Sequence, residues 1–328
     1  MKAFARKEIQ SRKGEDVGEL MSAYDFLEDV NDALSSVEKG LNKEGLEELP
    51  NVWIIGLPRA GTTLLYQLLS FHLDVGYITN MAARFWNAPV VGVKLSKAIL
   101  GDKMEPVYES DYGSVDTAYG PHEFSYFWHR LFKMENMPPY DSEKVAQSID
   151  WQSVRDTFLN INAAFNKCVV YKALDVGYHI KRFNELFPKS LFIQLSRNPI
   201  DVACSLACAR LKYYDDLNTW WSMFPLEYEN IIGLPYSEQI PAQMYYLSHM
   251  HEEGFKKVSS QRLLRVTYED LCSNPDAVID EVAERLNALS NVSVEKVRGE
   301  APELNATRPD VDDQVRSALL KGLGKYDL

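Results

Sequence analysis

The residues with the clearest chemical potential lie in a glycine-bounded loop that follows an apolar run. Residues 54–65 read IIGLPRAGTTLL, so a strand-like run leads through the loop into the apolar start of a helix. In this order of elements, backbone N–H groups of the loop and of the helix N-terminus converge where an anion can sit. Gly56 and Gly61 have the spacing of the nucleoside-triphosphate loop G-x-x-x-x-G-K-[ST]. However, Thr62 occupies the position of the lysine, and the basic residue is Arg59, so the pattern predicts a phosphate site with different surroundings.

A second candidate anion site lies in residues 196–205, which read SRNPIDVACS. Asn198 is a good N-cap and Pro199 a good first helical residue, so we expect a strand to give way to a helix at this point. Ser205 follows Arg197 by slightly more than two helical turns, which brings it back toward the same face. A guanidinium and a hydroxyl near a helix N-terminus can bind an anion. Two such sites predict a ligand with phosphates at both ends.

These two sites require strands that end at a common edge. The other strand-like runs are 168–172, 191–196 and 263–267, in addition to the run at 51–55, and helical patterns alternate with them at 62–71 and 180–187. Strands that alternate with helices indicate an α/β fold with a mostly parallel central sheet. Ligands of such sheets bind at the carboxyl ends of the strands.

The length, composition and net charge of the chain indicate its domain organisation and exclude some partners. At 328 residues with 46% hydrophobic content, it is long enough to bury a sizeable core. We expect a single domain over residues 1–328, which includes an N-terminal helical segment at 1–50. The net charge of -12 argues against nucleic acid as a partner, because the field of the whole molecule would repel it.

Compartment and metal content are also expectations from the sequence. No run of about 18 apolar residues occurs, which argues against a membrane span. Residues 1–7, MKAFARK, lack the apolar stretch of a signal peptide, so we expect a cytoplasmic protein. The four cysteines show no C-x-x-C pair and no histidine at metal spacing, which predicts reduced thiols and no metal site.

Three motifs together resemble those of sulfotransferases that use 3′-phosphoadenosine-5′-phosphosulfate (PAPS). Residues 58–63, PRAGTT, resemble the family's 5′-phosphosulfate loop, usually P-[KR]-S-G-T-T. Arg197 with Ser205 resembles its 3′-phosphate motif, and Tyr268 begins a segment similar to Y-E-[DE]-L, whose tyrosine approaches the adenine. The resemblance implies a three-layer fold like that of P-loop-containing nucleotide hydrolases, with PAPS as co-substrate and 3′,5′-ADP as product. The residues that it assigns to the nucleotide are Pro58, Arg59, Ala60, Gly61, Thr62, Thr63, Arg197, Ser205 and Tyr268.

The chain also departs from the family pattern. Ala60 replaces the usual serine of the loop, and Leu64 stands where animal cytosolic members carry a tryptophan that stacks on adenine. The C-terminal R-K-G-x-x-G-x-W motif of those members is represented only by Arg298 and the glycine after it. These differences indicate the bacterial and tyrosylprotein-type branches of the family.

Sulfuryl transfer displaces a phosphate in line from a tetrahedral centre, so positioning and charge stabilisation matter most. Negative charge grows on the oxygen between sulfur and the 5′-phosphate, and cations near that oxygen are the expected catalysts. Arg59 and Lys172 are the candidates, and Lys172 matches a lysine at the reacting centre of tyrosylprotein-type members. A solvated lysine at a strand end is the alternative for Lys172. The scheme needs no metal.

The acceptor needs a base, and candidates lie in and after residues 119–124, YGPHEF. This stretch is predicted to open a helix, with His122 and Glu123 in its first turn. Similar bacterial enzymes often carry G-P-x-E-[FW] here, which favours Glu123 slightly over His122, with His129 third. The alternative for Glu123 is an acid that complements the helix N-terminus.

The acceptor is expected to be a small molecule with a hydroxyl or amine, held by helical insertions at 80–150 and 210–250. Aromatic residues of the second insertion are predicted to line its pocket: Tyr213, Tyr214, Trp220, Trp221, Phe224 and Tyr228. A P-loop kinase and a non-catalytic nucleotide-binding protein are the competing interpretations. Oligomeric state stays open.

Overall fold

The computed structural model describes residues 17–101, 105–108, 115, 117–134 and 140–328, and it describes only the backbone of residues 17–20. The strands are β1 (Asn51–Gly56), β2 (Gly76–Tyr77), β3 (Val169–Lys172), β4 (Leu191–Ser196) and β5 (Leu263–Thr267). The α-helices are α1 (Val17–Leu41), α2 (Thr62–His72), α3 (Pro89–Leu100), α4 (Ser125–Leu131), α5 (Ser142–Ala146), α6 (Trp151–Phe165), α7 (Ile180–Leu186), α8 (Pro199–Tyr214), α9 (Tyr228–Ile231), α10 (Tyr236–Phe255), α11 (Tyr268–Ser273), α12 (Pro275–Leu289) and α13 (Asp313–Leu323).

The strands form one parallel sheet in the order β2-β3-β1-β4-β5, with β1 at its centre. Ile54 of β1 lies opposite Lys172 of β3, and Gly56 lies opposite Leu195 of β4. The predicted α/β class with a parallel sheet is therefore confirmed. The sequence did not predict β2, because two residues that begin with glycine are too short to form an apolar run.

Side chains alternate between the two faces of each strand, and the central strand β1 is buried on both faces. Trp53 of β1 points to one face, where its ring lies 5.1 Å from Phe158 of α6 and 5.0 Å from Phe183 of α7. Its neighbours Val52 and Ile54 point to the other face, in a second core formed with α2 and α12. The result is the expected three-layer arrangement of helices, sheet and helices.

The N-terminal segment packs against the helical region that follows β2. In α1, the carboxylate of Glu38 accepts hydrogen bonds from the N–H groups of Val90 and Val91, at 2.9 and 3.0 Å, in the first turn of α3. Burial raises the pKa of Glu38. The predicted helical segment at 1–50 is thus helical over α1, while its residues 1–16 lie outside the described part of the chain.

Since all five strands are parallel, their carboxyl ends lie along one edge of the sheet. The central strands β3, β1 and β4 end there at Lys172, Gly56 and Ser196, and β5 ends at Thr267 beside them. Every motif predicted to bind the nucleotide begins directly after one of these ends.

Candidate active site

The loop between β1 and α2 forms an anion cradle from backbone groups. Its turn closes through a hydrogen bond from Ala60 N–H to Leu57 C=O at 3.1 Å, and Arg59 and Gly61 adopt left-handed backbone angles, φ 70° and 98°. The helix α2 begins at Thr62, and no side chain in the described part of the chain caps its N-terminus. The first N–H groups of a helix have no partner within it, so these point toward the space beyond the loop.

Gly61 is required by a close approach as well as by its backbone angle. Tyr268 begins α11 directly after β5, and its ring packs against Gly61 so closely that a Cβ atom there would overlap the ring. The loop after β1 and the segment after β5 therefore lie against one another.

Arg59 connects the two predicted anion sites. Its Nε donates to Oγ of Ser205 at 2.9 Å, and its backbone carbonyl accepts a hydrogen bond from Nη1 of Arg197 at 3.1 Å. Asn198 caps α8 as predicted, with its side chain accepting from Ile200 N–H. Arg197 and Ser205 are thus near the same N-terminus, but Arg59 lies between them and bonds to both.

The guanidinium of Arg197 is placed to receive an anion. It stacks over the ring of Tyr268 with 4.3 Å between Cζ and the ring centroid, and its Nη2 donates to the carbonyl of Thr307. Its buried Nε has no hydrogen-bond partner among the described residues. A buried donor without a partner is costly, so this nitrogen is suited to bind a ligand oxygen.

The C-terminal coil between α12 and α13 covers this arginine. Thr307 meets the Tyr268 hydroxyl through its N–H at 3.4 Å and its Oγ1 at 3.2 Å. The sequence did not indicate this segment. Arg298, the remnant of the family's C-terminal motif, borders a different cavity beside Asp74 and Tyr77. Thr307 makes its contact to Arg197 through a backbone carbonyl, which leaves no residue-type signature in the sequence.

A cavity of about 410 Å³ lies at the carboxyl ends of the strands, among these elements. The predicted residues on its walls are Pro58, Arg59, Gly61, Thr62, Thr63, Glu123, Lys172, Arg197 and Tyr268. Leu64, Gln67, Tyr108, Leu174, Trp221, Ser222, Leu304, Asn305 and Thr307 complete the lining. Its size is typical of small-ligand and cofactor sites. Ala60, Ser205 and His122 lie outside the lining: Ala60 is buried in the loop turn, and Ser205 acts on the cavity through Arg59.

Lys172 and Glu123 form an ion pair on the wall of this cavity. The distance from Lys172 Nζ to Glu123 Oε2 is 2.8 Å, with 7% of the lysine side chain and 29% of the glutamate side chain exposed. The solvated strand-end alternative for Lys172 is therefore wrong. A paired, largely buried lysine keeps its position, because its departure would leave the carboxylate of Glu123 without a partner, and an unpaired buried charge is costly.

The segment that carries Glu123 was expected to be helical, and this prediction is wrong. Phe124 adopts a left-handed conformation, φ 64°, as the N-cap of α4, which begins at Ser125. Residues His122 and Glu123 precede the helix, where His122 N–H donates to Ile78 C=O at 2.8 Å. The backbone before Glu123 is thus held by pairing to the chain after β2, and its carboxylate is held by Lys172 rather than by the helix N-terminus.

The two histidine candidates are less suited to act as the base. His122 Nδ1 accepts a hydrogen bond from Phe124 N–H at 2.8 Å, and burial lowers its pKa to about 4. Burial likewise lowers the pKa of His129 to about 4. Neither histidine borders the cavity, whereas Glu123 does.

The aromatic residues after α8 divide into two groups. Trp221 lines the cavity and stacks on Tyr213, with ring centroids 6.0 Å apart. Trp220, Phe224 and Tyr228 pack on one another in a separate core cluster away from the cavity. Of the six aromatic residues predicted to line an acceptor pocket, Trp221 alone is on the wall of this cavity, beside Ser222.

Among the described residues, no group of three or more His, Cys, Asp or Glu side chains could hold a metal ion. The four cysteines are free thiols, and burial raises the pKa of Cys168 to about 11. No helix within the described ranges is both long and apolar enough to cross a bilayer.

Comparisons with known proteins agree with this geometry. A sequence model of the Sulfotransferase family matches residues 50–288. The chain is 25% identical over 291 residues to the omega-hydroxy-beta-dihydromenaquinone-9 sulfotransferase Stf3 of Mycobacterium bovis, covering 80% of this chain and 70% of that protein.

Solved structures with a similar fold include two mycobacterial sulfotransferases. STF1 from Mycobacterium tuberculosis aligns with a TM-score of 0.54 and 15% identity, over 100% of this chain and 89% of STF1. STF9 from Mycobacterium avium aligns with a TM-score of 0.52 and 14% identity, over 91% of this chain and 73% of STF9. At this identity the likeness concerns the fold, which is P-loop-like in all three.

Proposed function

This chain belongs to the sulfotransferase family, and we propose that it moves the sulfuryl group of PAPS to a hydroxyl or amine of a small-molecule acceptor. The observation that carries the proposal is the cavity at the carboxyl ends of the strands. It joins a backbone anion cradle, a half-buried arginine whose buried Nε has no partner among the described residues, and a Lys172–Glu123 pair. A donor with phosphates at both ends and an acceptor with a proton to lose need these groups together.

The residues present fit the nucleotide. In the proposal, the N–H groups at the start of α2 and the side chain of Arg59 hold the 5′-phosphate, as helix N-termini commonly do. Arg197 holds the 3′-phosphate, and Ser205 orients the Arg59 side chain by accepting its hydrogen bond. The Tyr268 ring, already fixed against Gly61 and Arg197, provides a surface near the adenine. The Nε of Arg197 would then gain the partner that it lacks in the described part of the chain.

The reaction follows from the groups at the other end of the cavity. The acceptor oxygen or nitrogen forms a bond to sulfur while the bond from sulfur to the 5′-phosphate oxygen breaks. The acceptor proton goes to the Glu123 carboxylate, and the released electron pair stays on the departing phosphate. Lys172 and Arg59 stabilise the charge that grows there, which is the largest contribution such sites usually make.

The part of the cavity wall near Glu123 and Lys172 favours an acceptor with an apolar part. Leu174, Trp221 and Ser222 lie on the same cavity as Glu123 and Lys172. The name of Stf3 gives an omega-hydroxy-beta-dihydromenaquinone-9 as the molecule on which that protein acts. We therefore place hydroxyl acceptors before amines in any screen.

Binding and turnover together test the proposal. Calorimetric titration with 3′,5′-ADP should show binding, and incubation with PAPS and a panel of hydroxylated and amine acceptors should release 3′,5′-ADP and add one SO₃ group to a product detected by mass spectrometry. The variant Arg197→Ala should bind 3′,5′-ADP about tenfold to about 150-fold more weakly, the worth of a charged hydrogen bond. Arg182→Ala is the matched control, since its guanidinium pairs with Glu185 on the surface.

The competing interpretations give different results. Stabilisation by ATP with Mg²⁺ and none by 3′,5′-ADP would indicate a kinase and contradict the proposal. Binding of 3′,5′-ADP without its release from PAPS, across the acceptor panel, would indicate a non-catalytic nucleotide-binding protein.

A further inference from the structure

A second carboxyl group lies beside the Lys172–Glu123 pair. Asp175 follows Lys172 by three residues, in a 3₁₀ turn (Leu174–His179) that continues from the carboxyl end of β3. It is 8% exposed, and within the described part of the chain no hydrogen bond or ion pair joins its carboxyl to another residue. Sequence reasoning did not single it out, because an aspartate after a strand has no distinctive pattern.

The groups that face Asp175 come from four segments. Glu123 and Lys172 are the charged neighbours. Tyr140 and Tyr178 are the other titratable ones, but their hydroxyls donate elsewhere, to Phe132 C=O at 3.0 Å and to Phe224 C=O at 2.9 Å. Burial, and after it the negative charge of Glu123, raise the pKa of Asp175 to about 8, and Lys172 offsets only part of this.

The cluster has one cation and two carboxyl groups. With Asp175 protonated, Lys172 and Glu123 balance each other in a poorly solvated place. With Asp175 ionised, the cluster carries a net negative charge, because one cation then faces two carboxylates. Charges interact strongly where water is excluded, so this change in net charge alters the electrostatic potential in the adjoining cavity.

We propose that Asp175 is a positioning residue that works as a neutral carboxylic acid, keeping an extra negative charge away from the Lys172–Glu123 pair and from the anionic donor. The inference rests on the proposed function for its consequences in binding. When Asp175 ionises, its proton passes to solvent, and the cluster gains a negative charge that disfavours the binding of phosphate in the adjoining cavity.

The test compares the wild type with Asp175→Asn, which is neutral at every pH and nearly the same shape. The affinity for 3′,5′-ADP is measured by calorimetry from about pH 7 to about pH 9, a range that brackets the raised pKa. We expect the wild type to lose about tenfold in affinity across this range and Asp175→Asn to change by less than about twofold. Asp29→Asn, an exposed residue of α1, is the matched control and should follow the wild type.

An infrared measurement separates this inference from the proposed function. The difference spectrum between wild type and Asp175→Asn should show the C=O stretch of a protonated carboxylic acid at pH 7, and the band should vanish as the pH rises past the raised pKa. The absence of that band at pH 7, or the same pH dependence of affinity in both proteins, would overturn the inference. If the wild type binds no 3′,5′-ADP at any pH, the proposed function fails, and the infrared band alone then decides whether Asp175 is held neutral.

Discussion

Arg59 donates a hydrogen bond from Nε to Oγ of Ser205 across 2.9 Å, although 146 positions separate the two residues in the sequence. Arg59 belongs to the loop after β1, and Ser205 to the helix after β4. Since Arg197 donates to the backbone carbonyl of the same arginine, the two predicted phosphate sites form one connected unit. A substitution at either site should therefore also change ligand binding at the other.

Removal of the Ser205 hydroxyl tests this connection. Ser205→Ala deprives Arg59 of the acceptor that orients it, so we expect affinity for 3′,5′-ADP to fall by roughly 0.5 to 1.5 kcal/mol, the net worth of one hydrogen bond. Calorimetric titration measures the change. Ser273→Ala is the control, because Ser273 is exposed and, among the described residues, its hydroxyl donates to the nearby Asp270 carbonyl. Equal affinity of Ser205→Ala and wild type would show that the bond does not orient Arg59 for binding.

The Glu123 carboxylate is expected to take the acceptor proton. Glu123→Gln keeps the shape and loses the base, so single-turnover release of 3′,5′-ADP from PAPS in the presence of acceptor should slow by about 10² to about 10⁴. Affinity for 3′,5′-ADP should not fall, because the phosphate-binding groups are intact and the substitution removes a negative charge from the wall of the cavity. Glu185→Gln, on the surface in a pair with Arg182, should turn over like the wild type. Loss of turnover in His122→Gln but not in Glu123→Gln would move the base to His122.

Gly61 is needed for both its backbone angle and its contact with Tyr268. Gly61→Ala should weaken 3′,5′-ADP binding at least tenfold and lower the free energy of unfolding by about 1 to 3 kcal/mol, because a left-handed angle is strained for alanine and the new methyl group overlaps the ring. Gly45→Ala separates the two causes, since Gly45 has φ 68° but no neighbour near its missing Cβ. Chemical denaturation measures the free energies. A destabilisation equal to that of Gly45→Ala would show that the contact with Tyr268 costs nothing.

Buried histidines predict acid sensitivity. The folded state lowers the pKa of His122 to about 4, from a usual value of 6.5, mainly by burial. The unfolded chain therefore binds a proton first as the pH falls, so the contribution of His122 to stability is complete above about pH 6.5 and is lost toward about pH 4. His122→Asn, which keeps an acceptor for the Phe124 N–H, should lack this loss. Denaturant unfolding at pH 7 and at pH 5 should show the wild type losing more stability than the variant, and equal losses would contradict the prediction.

Asp175 should have the opposite effect on the pH dependence of the free energy of unfolding. Its pKa is raised in the folded state from 3.8 to about 8, so the folded chain holds a proton that the unfolded chain has released between these values. The stability of the wild type relative to Asp175→Asn should therefore increase as the pH falls from about 8 toward about 4. A difference that does not depend on pH would show that the fold leaves the Asp175 carboxyl in its ordinary state.

Secondary structure was predictable where the pattern is local. The runs at 191–196 and 263–267 coincide with β4 and β5. Most of β4 is apolar and buried, and in the edge strand β5 the buried Leu264 and Val266 alternate with the exposed Arg265. The start of α4 was not predictable: Phe124 looks like part of an apolar helical face, but it stacks on Phe127 with ring centroids 4.4 Å apart while its own backbone is left-handed. Tertiary packing decides that conformation.

The sequence by itself determined the fold class and the two phosphate motifs, because each depends on residues that are neighbours in the chain. Only the tertiary structure decided which residues share the cavity. It joined Lys172 to Glu123, placed Asp175 beside them and brought Thr307 over Arg197, whereas His122 was left outside. The physical reason is that these contacts are made between loops after different strands, and their relative positions follow from the strand order and from the packing of helices on both faces of the sheet.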